Sequence, residues 1–188
     1  HDVEQLHLDL IQAARRWIYI ENQYLTSNVI VEALRGRLRE PDGPEIVIVL
    51  PLKNFGWLEE HTIEVLRFQS IDRLRKADDH NRLRICYPIV PDLGSQWISM
   101  HSKVLIVDDH LLRVGSSNLT NRSMGVDTEC DITIEASGPA TRRAISTLRN
   151  RLLGEHLGLD LSGIVNALSR DPSLIHLVDS RSQEPPCL

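Results

Sequence analysis

His101, Lys103, Ser116 and Asn118 are residue types that can together hold and turn over a phosphate ester, and their spacing puts them within reach of one another. His101-Ser-Lys103 leads into the apolar run Val104-Leu105-Ile106-Val107, and Asp108-Asp109-His110 ends it as a turn. Leu111-Leu112-Arg113-Val114 then returns toward Gly115-Ser116-Ser117-Asn118. Alternate residues of a strand project from one face. His101 and Lys103 therefore form one pair, Ser116 and Asn118 another, and an antiparallel return sets the pairs side by side. Displacement at a phosphodiester needs an in-line nucleophile, a proton for the leaving alkoxide, and fixed positive or N–H groups around the phosphoryl oxygens. An imidazole can take either of the first two roles, because it titrates close to neutral pH. The Lys103 ammonium suits a phosphoryl oxygen, and Asn118 with Ser116 adds neutral hydrogen bonds. Asp108 stands about four or more strand rises of ~3.3 Å from Lys103; direct chemistry there is implausible, and turn closure or a buried ion pair fits it better. Asp109 and His110 are ordinary turn residues. The plainer alternative for the whole stretch is a core hairpin with an incidental His and Lys.

The pattern His101-x-Lys103-x4-Asp108-x6-Gly115-Ser116-x-Asn118 resembles the HKD signature of the phospholipase D superfamily, with every position filled. Glu21-Asn22-Gln23-Tyr24 follows the strand Ile18-Tyr19-Ile20; on physical grounds it suits a capping and turn network and a pocket wall equally well. The segment Ile18 to Tyr24 is also similar to the I-Y-I-E-N-Q-Y/F stretch that precedes the second HKD motif of two-motif phospholipases D. The resemblance implies that the chain is the C-terminal half of a longer, bacterial-type enzyme whose first HKD half is absent. It implies two motif histidines facing each other across a pseudo-two-fold axis. One forms a phosphohistidine, and the other protonates the leaving alcohol and then activates water or an acceptor alcohol. By position His101 would be the acid/base; in a pairing of identical chains it would take both roles, one in each copy. The family carries an acidic residue shortly after GSxN, which makes Glu129 the candidate carboxylate for the second ring nitrogen of His101. Its alternative is a solvent-facing charge at the start of a strand.

The chain of 188 residues fits one domain with a proper core, and its 41% hydrophobic content is ordinary for a globular protein. No apolar run approaches the roughly 18 residues of a membrane span. A net charge of -5 argues against a non-specific nucleic-acid binder. Cys86, Cys130 and Cys187 have no metal-ligand spacing, and their small number fits a reduced, intracellular compartment. His1-Asp-Val-Glu4 begins abruptly and shows no leader pattern, so the location expected is cytoplasmic or peripheral to a membrane. Phe55-Gly56-Trp57-Leu58 is an apolar loop that suits transient contact with a membrane surface and core packing alike. His101, His110 and His156 lack ligand spacing, so neither metal nor cofactor is expected.

Helical spacing of apolar residues predicts helices over 6–17, 29–38, 59–76, 139–154 and 162–168, with His61 a surface residue of the third. Buried strands are predicted at 18–20, 46–50, 83–87 and 104–107, a returning strand at 111–114, and a strand with an acidic start within 127–134. The fold class is α/β: a mixed, largely parallel sheet flanked by helices on both faces. Residues 1–178 form a half-domain with one HKD motif and no internal repeat, and 179–188 a flexible tail. The leading function is a phospholipase D-type phosphodiesterase half, acting by head-group hydrolysis or phosphatidyl transfer. The partners expected are a phospholipid or other phosphodiester substrate and the missing half or a second copy. The rivals are a single-motif homodimeric nuclease and a catalytically silent scaffold.

Overall fold

Two five-residue strands, β1 (Trp17–Glu21) and β2 (Glu45–Val49), are buried along almost their whole length, so both of their faces must be covered by other elements. A computed structural model describes residues 2–53, 57–89 and 97–181, with the backbone alone for 57–62. The helices that cover one face are α1 (Asp2–Ala13), α2 (Asn28–Arg39), the later turns of α3 (Trp57–Arg75) and the short α4 (Asn121–Gly125). They pack Leu10, Ile11, Leu34, Leu74 and Met124 against Ile18, Ile20 and Ile48. On the other face α5 (Pro139–Leu157), α6 (Leu161–Arg170) and α7 (Leu174–Asp179) bring Ile145, Leu153, Ile164 and Leu177 onto Tyr19, Val47 and Ile106.

The sheet is completed by β3 (Leu83–Cys86), β4 (Val104–Val107), β5 (Leu111–Gly115) and β6 (Asp131–Glu135), in the order β3-β2-β1-β4-β5-β6. It is mixed, as the alternation of helix and buried strand predicts, but not largely parallel, because β4, β5 and β6 are added by antiparallel pairing, the β4–β5 hairpin closing in a turn too short for a crossover. Its parallel part is β1–β2–β3, while β1–β4, β4–β5 and β5–β6 run antiparallel. Glu21 pairs with Val104, and Val104 with Val114. That register brings the carboxyl end of β1, the residues that lead into β4 and the residues that leave β5 to one edge of the sheet.

Asp108 closes the turn after β4 and reaches across to the start of β1. Its carboxylate accepts hydrogen bonds from the backbone N–H groups of Arg15 (2.9 Å), Arg16 (2.8 Å) and Trp17 (3.0 Å). The residue takes a left-handed φ of 49°, which Asp tolerates better than most side chains. Asp108→Ala leaves three donors unpaired and is expected to lower stability by about 2–3 kcal/mol, measured by urea unfolding. A loss within the error of the method would show that the clamp carries no stability.

The predicted helices and buried strands all form, with ends shifted by a few residues. The helices α4 and α7 are not evident from periodicity. The second is built by distant groups: the Glu45 carboxylate accepts from the N–H of Leu174 (2.7 Å), and Arg84 holds Asp179 with two hydrogen bonds of 2.5 and 2.6 Å. Asp179, predicted to open the tail, therefore closes a helix. Residues 182–188, with Cys187, lie outside the described residues, as do Phe55, Gly56 and the side chains of Trp57, Leu58 and His61.

Candidate active site

His101 and Lys103 precede the first paired residue of β4, on an extended lead-in rather than on the strand itself. The Gly115 N–H donates to the Lys103 carbonyl at 3.3 Å, so the hairpin return still sets Ser116 beside the motif. His101 is exposed, and among the described residues no hydrogen bond reaches its ring. Lys103 is buried, its ammonium donating to the His101 carbonyl (2.9 Å) and the Gln23 amide oxygen (3.4 Å). Burial pulls its pKa below the ordinary lysine value, and the Arg113 charge adds to that, against the Glu129 carboxylate, which raises it. Gln23 thus brings the segment after β1 into contact with the motif. Asn22 does so too, its side-chain oxygen accepting from the N–H groups of Tyr24 (3.1 Å) and Leu119 (3.2 Å).

Ser116 is exposed, donates to Glu129 at 2.5 Å and accepts from the Cys130 N–H at 2.9 Å. Glu129 accordingly sits on Ser116 and near Lys103, and among the described residues it makes no hydrogen bond to the His101 ring. Asn118 donates its backbone N–H to Ser123 Oγ (3.2 Å), and its side-chain oxygen is buried without a partner among the described residues. Asp108 stands at the other end of β4, in the clamp on β1, and does not join the cluster.

A buried ion pair supports the loop from beneath. Arg113 and Asp131 bond to each other with side-chain exposures of 1% and 3%. Arg113 also donates to the carbonyls of Lys103 and Ser117, both at 3.1 Å, and Ser117 Oγ donates to Asp131 at 2.7 Å. Gly115 is needed here: a Cβ would run into the Asp131 carboxylate and the Cys130 carbonyl.

On the α5 side of the sheet a cleft of about 420 Å³ opens, with His101, Glu21, Glu155 and His156 in its lining. Glu21, at the carboxyl end of β1, is nearly fully buried. It accepts hydrogen bonds from Tyr19 Oη (2.5 Å) and His156 Nε2 (3.0 Å). Burial alone would raise its pKa, but the bonds from His156 and Tyr19 outweigh it and hold the carboxyl below its ordinary 4.5. Burial, reinforced by the Glu21 charge, drives the Tyr19 phenol well above 10.0. His156 comes from a part of the sequence that offers no motif; only the fold brings it to Glu21.

The lowered Glu21 pKa sets a direction for acid stability. A depressed carboxyl pKa contributes stability above its unfolded value and loses it as pH falls through the folded one. Glu21→Gln is therefore expected to weaken the pH dependence of the urea midpoint below about pH 5. Equal slopes in the two proteins would show that the Glu21 network does not discriminate the charged form.

The mixed α/β sheet thus carries an imidazole, a buried ammonium, a hydroxyl and an amide at one edge. Residues 7–151 match the family model described as "Cardiolipin synthase, PLD-like domain". The chain belongs to that family, within the phospholipase D superfamily of phosphodiesterases. Among curated proteins it is 27% identical over 208 residues to phospholipase D zeta 2 of Arabidopsis thaliana, covering 84% of this chain and 20% of that one. To phospholipase D of Phytophthora infestans it is 25% identical over 206 residues, covering 84% and 11%. The chain thus spans a fifth or less of these relatives. Among solved structures, phosphatidylserine synthase of Haemophilus influenzae superposes with a TM-score of 0.63 at 14% identity, covering 97% of this chain and 45% of that one. The phospholipase D family member Nuc of Salmonella typhimurium gives 0.55 at 19% identity, covering 79% and 85%. These two likenesses concern the fold. Among the described residues, no helix is long and apolar enough to cross a membrane.

Proposed function

We propose that this chain is the second-motif, C-terminal half of a phospholipase D-type phosphodiesterase, which hydrolyses a phospholipid head group or transfers the phosphatidyl group. The observation that carries it is the join between two sequence segments: Gln23 and Asn22 of the segment after β1 bond to Lys103 and Leu119 of the HKD hairpin. The buried ammonium, freed from a full hydration shell, binds a phosphoryl oxygen more strongly than an exposed lysine would. The Asn118 side-chain amide donates to a further oxygen, and Ser116 joins it once its hydroxyl turns from Glu129 to the phosphate. His101, exposed at the mouth of the cleft, gives a proton to the leaving alkoxide and takes one from the incoming water or alcohol. The nucleophilic imidazole that forms the phosphohistidine comes from the other half.

Two features support an incomplete site. Among the described residues no carboxylate holds the His101 ring, and Val114, Ile132 and Ile134 leave an apolar strip of the β5–β6 face 43–66% exposed beside the motif. An N-terminal HKD half laid on that strip would cover it and bring the second histidine. A nuclease-like homodimer is the second reading, favoured by the fold match to Nuc, which covers 79% of this chain and 85% of that one.

The test is turnover of bis(p-nitrophenyl) phosphate by the chain, with light scattering for its mass. A monomer with no turnover that gains activity on adding the first-motif half supports the two-motif enzyme. Turnover by a dimer of this chain alone overturns it in favour of the homodimer.

A further inference from the structure

The cleft beside His101 carries a second imidazole, for which the scheme above has no use. Glu21 is held as a carboxylate by its hydrogen bonds, so the His156 Nε2 that contacts it at 3.0 Å carries the proton. In the neutral ring this leaves Nδ1 as a lone-pair acceptor, and among the described residues Nδ1 has no hydrogen-bond partner. A buried carboxylate that fixes the tautomer and orientation of an imidazole is the arrangement that makes the remaining nitrogen a directed group. The other charged group in the lining is the exposed Glu155 carboxylate, and the described lining contains no Lys or Arg. Ile89, Ile98, Met100 and Leu152 supply the apolar wall. The cleft is therefore rich in acceptors and adjoins a cationic phosphate site.

We infer that His156, set by Glu21, is a substrate-binding residue that selects an alcohol portion bearing hydrogen-bond donors, a hydroxyl or a primary ammonium. This rests on the phosphodiester reading of the His101–Lys103 site and deepens it. The phosphate lies on Lys103 and Asn118, one ester substituent enters the cleft, and its donor bonds to Nδ1, with Glu155 adding attraction where the donor is an ammonium. A substituent without a donor leaves Nδ1 desolvated and unmatched, and sites built to hydrogen-bond a ligand group reject analogues that lack it.

The test uses the 188-residue chain and four diesters with the same phosphate: dimethyl phosphate and the methyl esters of 2-hydroxyethyl, 2-aminoethyl and choline phosphate. NMR of the imidazole ring nitrogens follows His101 and His156 separately. The hydroxyethyl or aminoethyl diester is expected to bind about five- to tenfold more tightly than dimethyl phosphate, to shift the His156 ring, and to lose that advantage in His156→Phe. Preference for the hydroxyethyl ester assigns a polyol-like alcohol. Preference for the aminoethyl ester, diminished in Glu155→Gln, assigns an amino alcohol. Both outcomes support the inference. Equal binding of all four, or tightest binding of the donor-free choline ester, with the His101 signals shifted, overturns it and leaves the phosphodiester site standing. A His156 ring that carries its proton on Nδ1 in the free chain overturns it also, without any variant. If no diester shifts His101, the phosphodiester reading itself falls.

Discussion

His101→Ala is expected to reduce phosphodiester turnover by about 10²–10⁴-fold in a two-motif assembly, the usual contribution of a positioned acid or base. The loss is measured as kcat, because the phosphate contacts of Lys103 and Asn118 are untouched and binding should change little. In a homodimer the same substitution removes nucleophile and acid/base together, so turnover should disappear altogether. The size of the effect thus separates the two assemblies that the fold allows. His101 is exposed and its ring bonds to nothing among the described residues, so the urea midpoint should stay within error. Retention of more than about a third of the activity would contradict a role for His101 in proton transfer.

The second large effect is on stability. Asp131→Ala leaves the Arg113 guanidinium buried beneath the motif loop with no counter-charge, a loss expected at about 3–5 kcal/mol. Replacing both partners by apolar residues of matching volume should recover most of it, because a buried pair barely outweighs its own desolvation. The double variant should fold but turn over poorly. Arg113 is also what ties the Lys103 and Ser117 carbonyls together, so the groups on either side of the hairpin would lose their spacing. A cost under about 1 kcal/mol for the single variant would mean that the guanidinium finds water or another partner.

The hairpin that carries His101, Lys103, Ser116 and Asn118 was legible in the sequence because its logic is local: an apolar run, an acidic turn and a glycine where the return meets Asp131. The helices and buried strands were legible for the same reason. What required the fold was pairing across distance. Nothing about Glu21 or His156 singles out the other, since they are 135 positions apart and meet only because α5 crosses the end of β1. Glu129 falls in the acidic stretch after the motif, yet its partner is Ser116, since the β5–β6 register sets Ser116 beside Cys130, the residue next to Glu129. The short helix α7 has too few residues for periodicity, and its start is fixed by Glu45 on a strand made long before it.

The clamp from Asp108 onto residues 15–17 joins groups 91 to 93 positions apart, and β4, the second neighbour of β1, lies equally late. During synthesis β1, β2 and β3 emerge before β4, with one edge of β1 left without a hydrogen-bonding neighbour until Val104–Val107 has been made. Native contacts of such separation slow folding, and an unpaired apolar strand edge invites pairing with other chains in the meantime. The central position of β1 therefore leaves one of its edges open in the nascent chain for as long as β4 is unmade.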